Sequence, residues 1–532
     1  MHRSAVKVLI ALLIAFTGRP GYAESWQTLG PQPMGMGGSF VGVARGNLAQ
    51  YWNPAGLAQE NNISGIQIPV GGRVEFTSGL LKDAHNLSNI AAKYSALQDA
   101  QKNSQAIDAD KMAAFLQGIV TLESLNKDGK GILVDVNAGF NLKLGRVVLA
   151  VNNYTSVGGR PFVDTKNIGL GQISGSGGVT FSGGGVDTAI SASNQASSDK
   201  IESAINTIGF TGIESLICGS AGCLAAQNAA ITNADAFANA LVDQAEDGGL
   251  SVDQISQAAQ IIADNSASAA TLIGAALSSN PYTNNTSNLT LRGASFTELS
   301  LGYARPLVLP GLLVGVNLKA IQGNIGYAKF DVLKKETESS DVFSDFDQNA
   351  KKSMQPGIDL GVLYDLNKTF GFLPFRPRVG AVARNINRPK FDQPDLAKQN
   401  GEGDKYALES QVRMGVALNP LNFWTLAADM DITENKTQIP GFKSRMMGAG
   451  TEINVFNRPW LNIPLRVGLA KNVAESGSKV AYTGGVGFNF LHFIIDIGGS
   501  VSTSTEKFTD DKGKEKEVPA NASVAAQFAL LF

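Results

Sequence analysis

Alternation of apolar and polar residues runs through most of the second half of the chain. It is plainest at residues 134–144, where the even positions are apolar and the odd positions are Asp, Asn, Gly or Lys. Successive side chains of a strand point to opposite faces, so this pattern predicts strands with one apolar face. Similar stripes recur at residues 312–318, 424–432, 463–469 and 493–497. The chain is therefore expected to have an all-β fold.

The connections between these segments alternate between short and long. Read backward from the last segment, 523–532, the connections assigned to the outside fall at 507–517, 473–478, 434–443, 387–405, 331–352, 156–287 and 78–130, and those assigned to the periplasm at 491–492, 457–461, 419–422, 366–375, 305–311 and Gly145. A barrel through an outer membrane has short periplasmic turns and long outer loops. The series predicts a transmembrane barrel of about fourteen antiparallel strands, with the first at 62–77, which is an even number as single-chain bacterial barrels require.

The faces opposite the apolar stripes carry charges of both signs. We expect these residues to point into the lumen: Lys319, Asp359, Arg378, Arg413, Asp429, Asp431, Arg466 and Asp496. On the lipid face, an Arg or Lys at mid-bilayer costs about 2–4 kcal/mol. The assignment therefore predicts that Val316→Arg blocks assembly and that Asn317→Arg is tolerated.

The start of the chain predicts export. Residues 1–23 have a basic beginning, an apolar core at 8–16 and a small-residue cleavage site at Gly21-Tyr22-Ala23, which is typical of a secretory signal, so the mature chain should begin at Glu24. No later segment approaches the roughly 18 apolar residues of a membrane helix. An exported membrane protein of this sequence must then be a barrel, and we expect it in the bacterial outer membrane, with membrane lipid around it.

Composition supports this picture and excludes several functions. Charged residues make up 17% of the 532 residues, below the usual quarter, and there are 59 glycines. The formal net charge of −2 gives no reason to expect nucleic-acid binding. No Gly-x-Ser-x-Gly elbow, P-loop or metal-ligand cluster is present, so we expect no enzyme activity, metal or cofactor. His85 and His492 are interpreted as loop or interface residues.

Two cysteines, Cys218 and Cys223, enclose a short loop. In an oxidising compartment this spacing predicts a disulfide between them. It is not the Cys-x-x-Cys spacing of thioredoxin-like redox proteins, so a redox function is not expected.

Two of the long connections are predicted to contain helices, at about 83–127 and 187–278. Ser251-Val252-Asp253-Gln254 matches a capping box and predicts a helix start. In one interpretation the helices pack on each other and cap the mouth of the barrel. In the other, their apolar faces form a groove for a hydrophobic ligand, lined by Ile201, Ile205, Ile208, Phe210, Ile213 and Leu216.

Residues 24–61 precede the first strand and are rich in glycine. Asn53-Pro54 favours a rigid turn. We therefore expect a compact segment that folds inside the lumen as a plug, with Gly35, Gly37, Gly38, Asn53, Pro54 and Ala55 as its motif residues. The predicted organisation is a signal at 1–23, a plug at 24–61 and a barrel at 62–532.

The run from Gly35 through Asn53-Pro54-Ala55-Gly56-Leu57 resembles the N-terminus of the FadL-type long-chain fatty acid transporters. Residues 426–431 and 464–468 are also similar to strands of this superfamily, and they look closest to its TraF-type outer-membrane branch. The resemblance covers the plug and about residues 290–532. It implies a plugged barrel of fourteen strands, with Asn53, Pro54 and Ala55 in the plug. It does not cover the 187–278 insertion, so no ligand residue can be carried over there.

Two functions follow as hypotheses. The first is an outer-membrane channel or transporter for hydrophobic small molecules of a fatty-acid-like kind. The alternative is a scaffold or surface component of a conjugation or secretion apparatus, with envelope proteins as partners of the large insertion. Fatty acids or alkanes that co-purify with the protein would favour the first, and stoichiometric protein partners would favour the second.

Overall fold

The structure is a computed structural model that describes residues 24–59, 64–81, 124–164, 188–218, 230–247, 251–264, 266, 286–331, 346, 348–509 and 514–532. Fourteen antiparallel strands close into one barrel, in which each strand pairs with the next along the chain and the last pairs with the first. The strands are Gly65–Thr77 (β1), Gly131–Leu144 (β2), Val147–Phe162 (β3), Asn288–Pro306 (β4), Leu312–Asp331 (β5), Lys351–Asp365 (β6), Arg378–Arg384 (β7), Gln411–Leu421 (β8), Trp424–Asp431 (β9), Met446–Arg458 (β10), Leu461–Asn472 (β11), Ala481–Phe490 (β12), Phe493–Ser502 (β13) and Asn521–Leu531 (β14). The predicted fold and strand number are confirmed.

Apart from residues 366–377 between β6 and β7, the connections predicted as periplasmic are shorter than those at the other end of the barrel. Two residues join β2 to β3 and β12 to β13, and these tight turns contain residues with positive φ, Gly145 at 58° and Leu491 at 51°. Such turns need the left-handed backbone conformation. Barrel closure is continuous along β1, whose register with β14 runs from Gly65↔Leu531 to Glu75↔Asn521.

The two faces of the strands also follow the sequence. On β2, Val136 is 51% exposed, whereas Asp135 between the apolar residues is 3% exposed. The same division holds for the predicted lumen charges, which are buried except for the half-buried Arg378. The exposed face is an apolar surface suited to acyl chains, and the opposite face points into the barrel.

One expectation about the lumen does not hold. Asn317 points inward as predicted, but it is only 1% exposed. Its side-chain amide donates to the Gln50 carbonyl at 2.8 Å and to Asp359 at 3.1 Å. An arginine has no room there, so the predicted tolerance of Asn317→Arg is wrong.

Three short hairpins extend from the outer connections: Lys390–Asp392 with Lys405–Ala407, Asn435–Lys436 with Lys443–Ser444, and Thr505–Thr509 with Glu515–Pro519. The first of them folds into the barrel. Phe391 is fully buried, packs on the lumen side of Gly323 in β5, and lies 5.1 Å from the Phe296 ring of β4. The connection after β7 therefore fills the outer part of the lumen.

The described part of the larger insertion is helical, as predicted. Its α-helices are Gln195–Ile208, Phe210–Cys218, Ala234–Asp247 and Val252–Asp264. The last begins where the capping box places it, with the Ile255 amide donating to the Ser251 carbonyl at 3.0 Å. Most of the smaller predicted helical region, 83–123, lies outside the described residues. Across the described residues, the helices all fall short of the length and apolarity needed to cross a membrane.

Candidate functional site

Residues 24–59, called the inner segment from here on, cross the lumen. The segment contains the helices Pro31–Gly35 and Ala49–Trp52 and the 3-10 helix Pro54–Ala58. The first helix contacts β11 to β14, whereas the 3-10 helix contacts β4, β5 and β6. These two groups of strands lie on different sides of the barrel, so the segment extends from one wall to another.

The inner segment has an aromatic core of its own. The Trp52 ring lies 5.6 Å from Tyr51 and 6.1 Å from both Trp26 and Phe40. Trp52 Nε1 donates to the Leu29 carbonyl at 3.0 Å. Clustered buried aromatic rings stabilise a compact unit, so this segment has a defined fold inside the barrel.

Asn53, Pro54 and Ala55 form the rigid turn that the sequence predicts. Asn53 Oδ1 accepts from the Ala55 amide at 3.2 Å, which caps the 3-10 helix. Asn53 Nδ2 donates to the Val362 carbonyl of β6 at 2.9 Å and to the Val41 carbonyl at 3.3 Å. Pro54 occupies the first helical position, where its missing amide hydrogen is not needed. The turn therefore also attaches the segment to the wall.

Glycines face the inner segment from β5 to β13. Eight of them form four cross-strand pairs, Gly315–Gly361, Gly380–Gly415, Gly450–Gly468 and Gly485–Gly498. A Cβ atom would lie 2.7 Å from the Val41 oxygen if added to Gly380, 2.5 Å from Met36 Cα if added to Gly450, and 2.6 Å from the Pro31 oxygen if added to Gly498. On this side, called the glycine wall, backbone therefore touches backbone.

Segment glycines contribute to the same contact. Gly37 has φ 70° and donates its amide to Thr483 Oγ1 at 3.0 Å, and Gly38 has φ 79°. A Cβ on Gly35 would lie 3.0 Å from the Cβ of Arg466. Of the predicted motif residues, Gly35 and Gly37 lie at a close approach between segment and barrel, whereas a Cβ on Gly38 would meet no atom within 4 Å.

The opposite side of the lumen, formed by β14, β1, β2 and β3, contacts the segment through side chains and is called the side-chain wall. Asn47 Nδ2 donates to the carbonyls of Gly65 and Asn141 at 2.7 and 2.8 Å. Gln27 Nε2 donates to the Thr155 carbonyl at 3.1 Å.

Buried charges connect the segment and the barrel. Asp429 Oδ2 accepts from the amides of Phe40 and Val41, both at 2.7 Å. Arg466 forms ion pairs with Glu452 at 2.7 Å and with Asp496 at 2.6 Å. Removing one partner of a buried pair leaves an uncompensated charge, which is strongly destabilising. The predicted lumen charges are thus structural partners of one another and of the segment.

Two arginines stack on the aromatic core of the segment. The Arg384 guanidinium carbon lies 4.1 Å from the Tyr51 ring centre, and that of Arg413 lies 4.6 Å from Trp26. Desolvated cation–π contacts of this kind contribute about 2 kcal/mol. Arg384 was not predicted from the sequence, although its inward position on a strand was a usable signal.

A cavity of about 240 Å³, called the outer cavity, lies at the outer end of the lumen. Its apolar lining comes from the end of β5 and from the connection between β9 and β10, through Ile325, Tyr327, Ile439, Pro440 and Phe442. Charged residues line it as well: the ion-paired Arg292 and Glu402, together with Lys436 and Lys443. None of these apolar residues was singled out from the sequence, because the connections meet only in the folded barrel.

The start of the inner segment is bound at the base of this cavity. Glu24 Oε1 accepts from the Tyr406 hydroxyl and from Gln438 Nε2, both at 2.5 Å, and Tyr406 and Gln438 also line the cavity. Burial raises the pKa of the Glu24 carboxyl to about 8, although both hydrogen bonds oppose this. The carboxyl therefore keeps its proton at neutral pH and joins the segment to two outer connections.

The groove predicted in the large insertion is only partly described. Ile201, Ile205 and Ile213 are buried between helices, Ile208 is half-buried, and the Phe210 ring packs on Phe237 at 6.2 Å. This packing agrees with the interpretation that the helices pack on each other. The side chains of Leu216 and Cys218, and the whole of Cys223, lie outside the described residues. The groove and the disulfide stay predictions.

In the part of the chain that the structure describes, His, Cys, Asp and Glu form no group placed to hold a metal ion. The described features are a closed barrel with an apolar exterior, a charged lumen and a segment across that lumen. They define a protein of the bacterial outer membrane.

The family is identified by the sequence match. The family described as "F plasmid transfer operon, TraF, protein" matches residues 50–431, well over half of the chain, and the protein belongs to it. This confirms the resemblance to the TraF-type branch. No curated protein matches the chain.

Solved structures with a similar fold include two toluene transporters. TodX of Pseudomonas putida is 10% identical with a TM-score of 0.39, covering 96% of this chain and 99% of its own. TbuX of Ralstonia pickettii is 11% identical with a TM-score of 0.38, covering 94% of this chain and 98% of its own. At this identity the likeness carries no ligand over to this chain.

Proposed function

We propose that this protein is an outer-membrane channel that takes up hydrophobic small molecules, with the inner segment as its plug. The observation that carries the proposal is the outer cavity. It combines an apolar lining, a position at the outer end of the lumen and a base formed by residues bound to the inner segment.

The cavity volume indicates the size of the ligand. An apolar cavity of about 150 Å³ is large enough to bind benzene, so about 240 Å³ accommodates a substituted single ring. A long acyl chain would extend beyond this space. We therefore favour a ligand of monoaromatic size over the fatty-acid-like ligand that the sequence suggests.

The plug role rests on the contacts of the inner segment. Its backbone lies against the glycine wall, and Asn53, Asp429 and the stacked arginines attach it to several strands. A barrel of fourteen strands without such a segment would have a wide polar lumen. The segment lets the channel admit selected molecules without becoming an open pore.

A test with purified protein uses toluene and palmitate as probes and saturation-transfer NMR as the measurement. Phe442→Asp places a carboxylate in the wall of the outer cavity. An apolar ligand bound there would remove this charge from water, which costs free energy and weakens binding. We expect at least a tenfold loss of toluene affinity in this variant, whereas the matched Phe442→Leu variant keeps an apolar wall and binds within about threefold of the parent. Equal binding to both variants would contradict the proposal, and tighter binding of palmitate than toluene would reverse the size assignment.

The family description favours a second function, participation in plasmid transfer. The described helices of the large insertion form a unit to which a protein partner would bind. Deletion of residues 188–278 would then abolish plasmid transfer while toluene binding by the barrel persists. Unchanged transfer after this deletion would remove the second candidate.

A further inference from the structure

A second pair of cavities lies on the other side of the inner segment. A vestibule of about 590 Å³ opens among the outer ends of β1, β11, β12, β13 and β14. Beneath it is a chamber of about 90 Å³ between the segment and the wall. Both are lined by Arg73, Met446, Ala470, Ala481 and Asn521, so the two spaces are adjoining. Together they lead from the outer mouth to the helix Pro31–Gly35.

Polar and charged side chains contribute to the lining of this path. Charges of both signs line the vestibule, among them Arg73, Lys130 and Lys479 with Glu75 and Glu475. Three residues that line the chamber also carry a buried polar atom with no hydrogen-bond partner among the described residues: Trp26 Nε1, Asn137 Oδ1 and Asp429 Oδ1. Buried polar atoms in folded proteins are normally paired with protein or with water. The chamber is therefore a place for water or polar solutes.

Polar side chains begin in the chamber lining with Ser500 and Ser523 and continue along the wall beyond it. Ser500 and Ser523 are hydrogen-bonded at 2.6 Å, and Ser523 Oγ lies 3.7 Å from the Met34 sulfur of the inner segment. Further along β14, Gln527 Nε2 donates to Asp496 at 2.7 Å, and Gln67 Nε2 donates to Gln527 Oε1 at 2.5 Å. This row of contacts, called the polar seam, follows β13, β14 and β1 beside the segment.

The kind of contact decides where a gap can open. At the glycine wall the backbones touch, so widening the gap requires a strand to move. At the polar seam the gap is closed by the side chains of Met34, Ser523 and Gln527. Side chains change rotamer far faster than strands move. A path past the segment opens there with the least rearrangement.

The geometry points to a second activity: the barrel conducts small hydrophilic solutes and ions along the polar seam, by a route that adjoins the outer cavity at Phe442, which lines both the vestibule and that cavity. The vestibule collects the solute, the chamber holds it with water, and Met34 and Ser523 form the constriction. This route does not depend on the proposed uptake of hydrophobic molecules.

The test is single-channel recording in planar bilayers, with KCl as the probe. Met34→Ala shortens the side chain at the constriction and should raise conductance at least twofold over the parent. Adding Ser523→Trp to Met34→Ala should return conductance to the parent level or below, because the indole fills the gap. The matched addition of Ser523→Ala should leave the raised conductance in place. A difference in gel migration between unheated and heated protein checks that each variant is a folded barrel.

Two results would overturn the inference. One is a Met34→Ala channel that conducts no more than the parent. The other is a Ser523→Trp addition that leaves the raised conductance unchanged, since the route would then lie elsewhere. Toluene binding, measured on the same proteins, should stay constant, which separates failure of this inference from failure of the proposed uptake function.

Discussion

The two walls of the lumen hold the same segment by different means. Along the glycine wall, paired glycines such as Gly450 and Gly468 bring the strand backbone directly against the segment backbone. Along the side-chain wall, residues such as Asn141, Asn152 and Gln527 contribute either carbonyls or flexible amides. The first kind of contact fixes the position of the segment, whereas the second leaves space for solvent and movement.

The largest expected effect is on the glycine wall. Gly450→Val places a Cβ atom 2.5 Å from Met36 Cα, where neither backbone can yield. Overpacking of this severity should lower the free energy of unfolding by about 3 kcal/mol. The measurement is the midpoint of urea unfolding in lipid vesicles.

Gly484→Val is the matched control, since Gly484 lies on the next but one strand with its nearest foreign atom at 3.8 Å. It should unfold close to the parent midpoint. Equal losses in the two variants would mean that any strand glycine is sensitive, and the distinction between the walls would fail.

A smaller effect separates two asparagines of the inner segment. Asn53→Ala removes the cap of the 3-10 helix and the bond to β6, and should cost about 2 kcal/mol. Asn47→Ala removes two bonds on the side-chain wall, where water can replace them, and should cost about 1 kcal/mol. Urea midpoints measure both. A larger loss of unfolding free energy for Asn47→Ala than for Asn53→Ala would mean that the side-chain wall, and not the glycine wall, holds the segment more firmly.

The smallest effect on stability is expected at the polar seam. Gln527→Ala leaves Asp496 paired with Arg466, so it should lower the free energy of unfolding by only about 1 kcal/mol. The same change widens the seam and should raise KCl conductance. A loss of stability as large as that of Gly450→Val, without a rise in conductance, would show that both walls are equally rigid.

Much of the barrel was predictable because membrane physics acts on each strand separately. The alternation at residues 134–144 and the charge at Asp135 determine which face meets lipid without knowledge of the neighbouring strands. The turn at Asn53-Pro54 was predictable for a similar reason, because turn preferences are local.

The functional site was harder to predict from the sequence than the barrel was. The outer cavity needs Ile325 from β5, Phe442 from one connection and Tyr406 from another, and nothing in the local pattern places these connections inside the barrel. The glycine wall had a readable signal, since glycines recur at inward positions of successive strands. Their partners on the segment, such as Val41 and Met36, could not be read from that pattern.

The close fit at the glycine wall has a consequence for biogenesis. The inner segment precedes β1, and β1 makes the last contact of the barrel, with β14. A chain that touches the wall backbone to backbone cannot be threaded into a finished cylinder. We therefore expect the segment to take its position while the sheet is still open. The later strands would then assemble around it before β14 pairs with β1 and closes the barrel.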